Sequence, residues 1–288
     1  MNRFNYLLEK IKTANIIKEP FDHIHIKDFL NDSDLNELIN SSQIKIEKAK
    51  SDLDIINKLH QNDYEVIDFP GCITDIDKYI EWHSLKNKTN KVHSATSGFG
   101  LSFRLKKFQN NSILEEFNDF SQSEDFCNAM VDKFNLPKDN YTTDIGVQKF
   151  LDGYEISPHP DIRRKAVTFM FNINPHNNSE KFEHHTKLLK FKSKYKYIED
   201  LWSITGKVER SWVPWDWCDV EKVQKDNNSI VMFSPNNKSL HAVKADYNHL
   251  DGQRTLLYGN VWGSATEGLK TISWEHIEEL RILRERNL

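Results

Sequence analysis

His159 and Asp161 stand one residue apart in the run Ser157-Pro158-His159-Pro160-Asp161. The prolines restrict the backbone on either side and favour extended chain. In extended chain residues i and i+2 point the same way, so one imidazole nitrogen and one carboxylate oxygen can aim at a single ion. A His-x-Asp pair by itself also reads as a loop histidine beside a solvated aspartate, in a chain that carries twelve histidines. A third donor changes the reading. In NNSIVMFSPNNKSLHAV a turn, a β-branched run and a second turn place His241 at the start of a new strand. Two histidines and one carboxylate make a facial triad, which leaves three adjacent positions on Fe(II) open to a chelating cosubstrate and dioxygen.

Arg254 lies on the following strand, in GQRTLLYGNVW. With strict alternation Arg254, Leu256, Tyr258 and Asn260 share a face. An inward arginine is costly unless it meets an anion, and its planar fork suits a carboxylate. The distal carboxylate of 2-oxoglutarate fits that need; the alternative is a surface arginine.

These residues need strands to carry them. From about residue 141 short apolar runs alternate with turn signals: DIGVQKFL, KAVTFMFNIN, KLLKFK, NSIVMFSP and RTLLYGNVW. That spacing predicts an all-β sandwich or barrel. Ahead of it, residues 1–20 read as a short helix ended by Pro20, PFDHIHIKDFL as a strand, and Asn31-Asp32-Ser33-Asp34 as the capped start of a helix. Residues 43–90 are mixed, 112–135 read as a helical stretch, and ISWEHIEELRILRERNL as an amphipathic closing helix. The expectation is one domain over 1–288: helical and mixed support in 1–140, a β core in 141–263, and a C-terminal helix in 264–288.

Composition narrows the function. Charged residues make up 28% and hydrophobic ones 38%, which fits a folded chain. No apolar run approaches the roughly 18 residues of a membrane helix. The net charge of -4 argues against nucleic acid as the main partner. Cys72, Cys127 and Cys218 share no short spacing, which excludes a disulfide scaffold and a cysteine zinc site and fits a reducing, cytoplasmic setting. No secretory signal is legible at the N-terminus.

Together the motifs resemble the Fe(II)- and 2-oxoglutarate-dependent oxygenases, closest to the prolyl-4-hydroxylase-like branch. The resemblance rests on His159-x-Asp161, His241 and Arg254 in that order, on NSIVMFSPNNKSLHAV, and on PFDHIHIKDFLNDSDLNELI, which is similar to the family's opening strand and helix. It covers most of the chain, more weakly between about 43 and 135. It implies a mainly β fold with flanking helices around a double-stranded β-helix (jelly-roll) of two four-stranded sheets. It also implies Fe(II) on His159, Asp161 and His241, with 2-oxoglutarate and dioxygen as cosubstrates and no catalytic residue beyond the metal ligands. Arg254 would bind the cosubstrate, Asn172 would add a bond from the strand after the motif, and Gln148 would reach in from the first core strand. Asn172 also reads as a strand-end cap for its own backbone. Thr168, Met170 and Asn172 share one face of KAVTFMFNIN; Val167, Phe169, Phe171 and Ile173 form the other, suited to packing on helices. The implied reaction couples decarboxylation to succinate with C–H oxidation, and the carboxylate at position 161 favours hydroxylation over halogenation.

There are departures from the family pattern. His241 and Arg254 are separated by a longer connection, and a glycine pair is replaced by NPHNNSEKFEHHTKLLKF. His184 and His185 in that segment read as a rim or surface pair, and His23 and His25 as strand histidines. The insertion at 181–218 holds Trp202, Trp212, Trp215 and Trp217 beside a lysine run. It reads as a substrate mouth for a peptide, a sugar or an anionic small molecule, or equally as an edge hairpin with packed tryptophans. Arg163, Trp212 and Asn260 are the mouth candidates. A nucleic-acid demethylase is disfavoured, since RTLLYGNVW lacks the second arginine of those relatives. A non-catalytic β-sandwich binding module is the competing class.

Overall fold

The computed structural model describes residues 2–69, 71–85, 95–137, 139–162, 164–176, 178–205 and 211–263. The closing helix expected over 264–288 and Arg163 lie outside these residues. The N-terminal part supplies α1 (Tyr6–Thr13), β1 (Ile24–Ile26), α2 (Asp32–Ile39), α3 (Asp52–Gln61), β2 (Tyr64–Val66), α4 (Ile76–Leu85), β3 (Ser102–Leu105), α5 (Ile113–Ser121) and α6 (Glu124–Lys133). Then come β4 (Thr142–Phe150), β5 (Glu155–His159), β6 (Lys165–Asn172), β7 (Lys187–Phe191), α7 (Tyr197–Thr205), β8 (Cys218–Val223), β9 (Ile230–Phe233), β10 (His241–Lys244) and β11 (Arg254–Trp262).

Capping sets several helix starts. Asn31 accepts the N–H of Asp34 and opens α2, as its sequence predicts. The stretch 112–135 is two helices rather than one. Ser112 caps α5, and Ser123, in extended backbone, caps α6 by accepting the N–H of Phe126. The mixed region 43–90 holds two helices that its weak periodicity did not reveal; Ser51 caps the first.

The large sheet has the order β1-β9-β6-β11-β4-β3-β2 and the small sheet β5-β10-β7-β8. The eight strands from β4 to β11 divide four and four between them, which is the double-stranded β-helix arrangement. The large sheet has seven strands instead of four because β1, β2 and β3 extend both of its edges. Val147, Phe169, Phe171 and Val261 on its outer face join one core with Leu7, Phe117 and Phe126 of the helices. Phe126 meets Phe169 edge-on at 5.7 Å, and Phe117 meets Phe171 likewise. Among the described residues no helix is long and apolar enough to cross a membrane.

Candidate metal centre

β5 ends at His159 and β10 begins at His241, and the two histidines are direct partners in this antiparallel pair. Their ring centroids lie 4.4 Å apart. Asp161 follows two residues after β5. The three residues are buried, and each offers a ligand atom within 4.8 Å of the others. Nε2 of His159 lies 3.9 Å from Asp161 Oδ1, and Nε2 of His241 lies 3.7 Å from Oδ2. Nδ1 of His159 faces the Ser157 carbonyl at 2.8 Å, and Nδ1 of His241 faces the Ser239 carbonyl at 3.1 Å. A hydrogen on each Nδ1 satisfies those carbonyls and turns the Nε2 lone pairs toward a common point. The donor set therefore fits a borderline divalent ion such as Fe(II).

Two residues that sequence reading missed hold the carboxylate. Lys165 Nζ donates to Asp161 Oδ1 at 2.7 Å, and the Thr168 hydroxyl donates to Oδ2 at 2.6 Å. Thr168 already lay on the strand face assigned inward; Lys165, four residues after Asp161, gave no signal of its own. Burial would push the Asp161 carboxyl up. The Lys165 ammonium and the two histidines overcome this and hold it well below the usual carboxylate range.

The triad opens on a cavity of about 300 Å³ lined from both sheets. Arg254, Leu256, Tyr258 and Asn260 all line it, as the alternation predicts, and so does Gln148 from β4. Arg254 is buried, not a surface residue. It stacks 4.8 Å over Phe150 and donates to the Thr186 hydroxyl at 2.8 Å. Burial lowers its pKa to about 10, and among the described residues no carboxylate pairs with it.

Other expectations move. Asn172 is absent from the cavity lining, and rather than capping its own backbone its amide donates to the carbonyls of Gln224 at 3.0 Å and Asp226 at 3.1 Å, tying β6 to the loop before β9. His184 and His185 are not a rim pair. They are buried in the irregular segment before β7, 4.5 Å apart, with His184 4.7 Å from the Tyr247 ring. Burial drives them down to about 2 and about 4, so both are neutral. In the 181–218 insertion Trp202 packs with Leu189, Phe191 and Val213 in a small core of its own. Trp212 lies with its ring 6.5 Å from that of His159.

A second histidine–aspartate cluster joins α3, α4, the β4–β5 turn and the connection before β11. His83 contacts Asp52 through Nδ1 at 2.6 Å and Asp152 through Nε2 at 2.9 Å; His249 Nε2 contacts Asp52 at 3.0 Å. The backbone N–H of Asp152 donates to His249 Nδ1, so the His249 hydrogen sits on Nε2 and points at Asp52. Both histidines thus present hydrogens rather than lone pairs to Asp52, and the cluster is a hydrogen-bonded clamp. Its two carboxylates raise the His83 pKa to about 9.

No family model matches the chain, and no curated protein matches it. Solved structures do. One is a prolyl hydroxylase in complex with a hypoxia inducible factor oxygen degradation domain peptide fragment from Trichoplax adhaerens: TM-score 0.47, 12% identity, covering 90% of this chain and 89% of that one. Another is a prolyl-4-hydroxylase of Pseudomonas putida, with TM-score 0.43, 9% identity, and 91% and 99% covered. A third is an epimerase of nogalamycin biosynthesis in complex with Fe3+, alpha ketoglutarate and nogalamycin RO, with TM-score 0.41, 11% identity, and 91% and 84% covered.

Proposed function

We propose that this chain is an Fe(II)- and 2-oxoglutarate-dependent oxygenase of the prolyl-4-hydroxylase-like branch, acting as a hydroxylase on a small-molecule or peptide substrate. One observation carries the reading. A buried 2-His-1-carboxylate set and a buried arginine that has no carboxylate partner among the described residues line the same cavity.

The ion supplies the redox chemistry with dioxygen, coupled to decarboxylation of 2-oxoglutarate to succinate. The residues of the chain do the rest. His159, Asp161 and His241 would hold the ion. Arg254 binds the distal carboxylate of the cosubstrate by charge and planar geometry, with Thr186 orienting its guanidinium. Phe150, Met170, Val243 and Leu256 give the cavity an apolar wall that limits water at the reacting groups. Asp161, where a small residue would leave room for a halide, supports hydroxylation.

The test is anaerobic mixing of the protein with Fe(II) and 2-oxoglutarate. A visible charge-transfer band is expected in the wild type and not in His159→Ala. A band absent from both, or equal in both, refutes the metal assignment. Conversion of labelled 2-oxoglutarate to succinate separates an enzyme from a binding module of the same architecture, which would give none.

A further inference from the structure

Lys165 is only 4% exposed, yet it lines the cavity. Two of its three hydrogens are used, one on Asp161 at 2.7 Å and one on the Tyr258 hydroxyl at 3.0 Å. A β-bulge at the end of β11 sets Trp262 opposite Lys165, and the ammonium lies 5.6 Å from both the Trp262 and Tyr258 ring centres. The third N–H has no partner among the described residues.

Charge in the cavity is otherwise balanced. Arg104 is neutralised by Asp144 at 2.7 Å, its guanidinium lying over β4 where Gly146 has no Cβ to obstruct it. With the site filled as proposed above, a doubly charged cation, Asp161, a dicarboxylate and Arg254 cancel one another. The Lys165 charge is left over, in a buried place where an uncompensated charge is expensive. Beside it the wall is aromatic, formed by Tyr258 and Trp262.

We propose that Lys165 determines substrate specificity and that the substrate is a small organic carboxylate, its anionic group taken by the third Lys165 N–H and its apolar body laid against the Trp262 and Tyr258 rings. This rests on the iron and 2-oxoglutarate reading. The alternative is that Lys165 does no more than position Asp161.

The experiment uses the full chain loaded anaerobically with Fe(II) and saturating 2-oxoglutarate. The probes are acetate, benzoate, 3-phenylpropionate and N-acetyl amino acids, each paired with its primary amide. Binding is read by equilibrium dialysis and by perturbation of the charge-transfer band. At least one carboxylate is expected to bind roughly tenfold or more tightly than its amide. Lys165→Gln, which still donates to Asp161, and Lys165→Met should both erase that preference, and Lys165→Arg should keep it. A preference that survives Lys165→Gln, or a wild type that favours no carboxylate over its amide, overturns the proposal while the band leaves the iron reading standing. A wild type without the band overturns both.

Discussion

The hydroxyl of Tyr247 accepts the backbone N–H of Arg254 at 2.9 Å. The same phenol donates to the Phe150 carbonyl, and the Tyr247 N–H is held by the Asp152 carboxylate at 2.9 Å. The longer connection between His241 and Arg254 thus supports the backbone of the buried Arg254. Tyr247→Phe should leave two buried backbone groups unpaired and lower stability by about 1–3 kcal/mol. In urea unfolding the midpoint falls, and in titrations the 2-oxoglutarate affinity weakens while iron affinity holds.

Removing Arg254 tests the cosubstrate assignment directly. Arg254→Met should weaken 2-oxoglutarate by about 2–5 kcal/mol, the range for breaking a buried charge pair. Calorimetric titration of the Fe(II)-loaded protein measures it. Arg254→Lys restores charge but not the fork and should recover only part of the loss. Equal affinity in all three proteins would remove Arg254 from the site.

Thr168→Val keeps the shape of the side chain and removes the hydrogen that reaches Asp161 Oδ2 at 2.6 Å. Metal affinity should fall roughly 10–100-fold, as for other residues that orient a ligand. Competition with a chromophoric chelator reads the change, with circular dichroism confirming an unchanged fold.

One half-buried group and one buried group give stability opposite dependences on pH. His83 is raised to about 9 by the Asp152 and Asp52 carboxylates. Its contribution is complete below the unfolded value near 6.5 and is lost as pH rises through 9, about 2–3 kcal/mol in all. Lys149 is fully buried, donates to the Ile44 carbonyl and the Thr255 hydroxyl at 2.7 Å each, and is lowered by burial to about 7. Folding is penalised while it must carry a proton, so its effect on stability improves as pH rises from 7 to about 10.5. The two trends offset each other in the wild type. Thermal melts between pH 6 and 10 should show His83→Gln gaining stability with pH relative to wild type, and Lys149→Met losing it.

Gly259 reports on the core behind the site. A Cβ there would stand 2.3 Å from Cζ of Phe169 and 2.8 Å from Ile145. Gly259→Ala should cost about 1–3 kcal/mol through overpacking, visible as a lower urea midpoint with an unchanged slope.

The chain's order of residue types determined a good deal. Prolines around His159, the turn before His241 and the period-two face of Arg254, Leu256, Tyr258 and Asn260 are local features, so the members of the buried histidine–aspartate cluster and the cavity lining could be read from them. The same period assigned Phe169 and Phe171 to the helix-packed face. Local pattern stops where contacts are made between elements distant in sequence. Thr186 meets Arg254 from 68 residues away, and Tyr258 meets Lys165 from 93. Asn172 shares a strand face with Thr168, yet a loop carbonyl at each hydrogen takes it out of the site. His184 and His185 are buried because an irregular segment folds beneath the Tyr247 ring, where strand alternation does not apply. Donor identity and periodicity lie in the sequence; which donor among the described residues keeps a spare hydrogen beside the His159–Asp161–His241 cluster is decided only when both sheets close on the cavity.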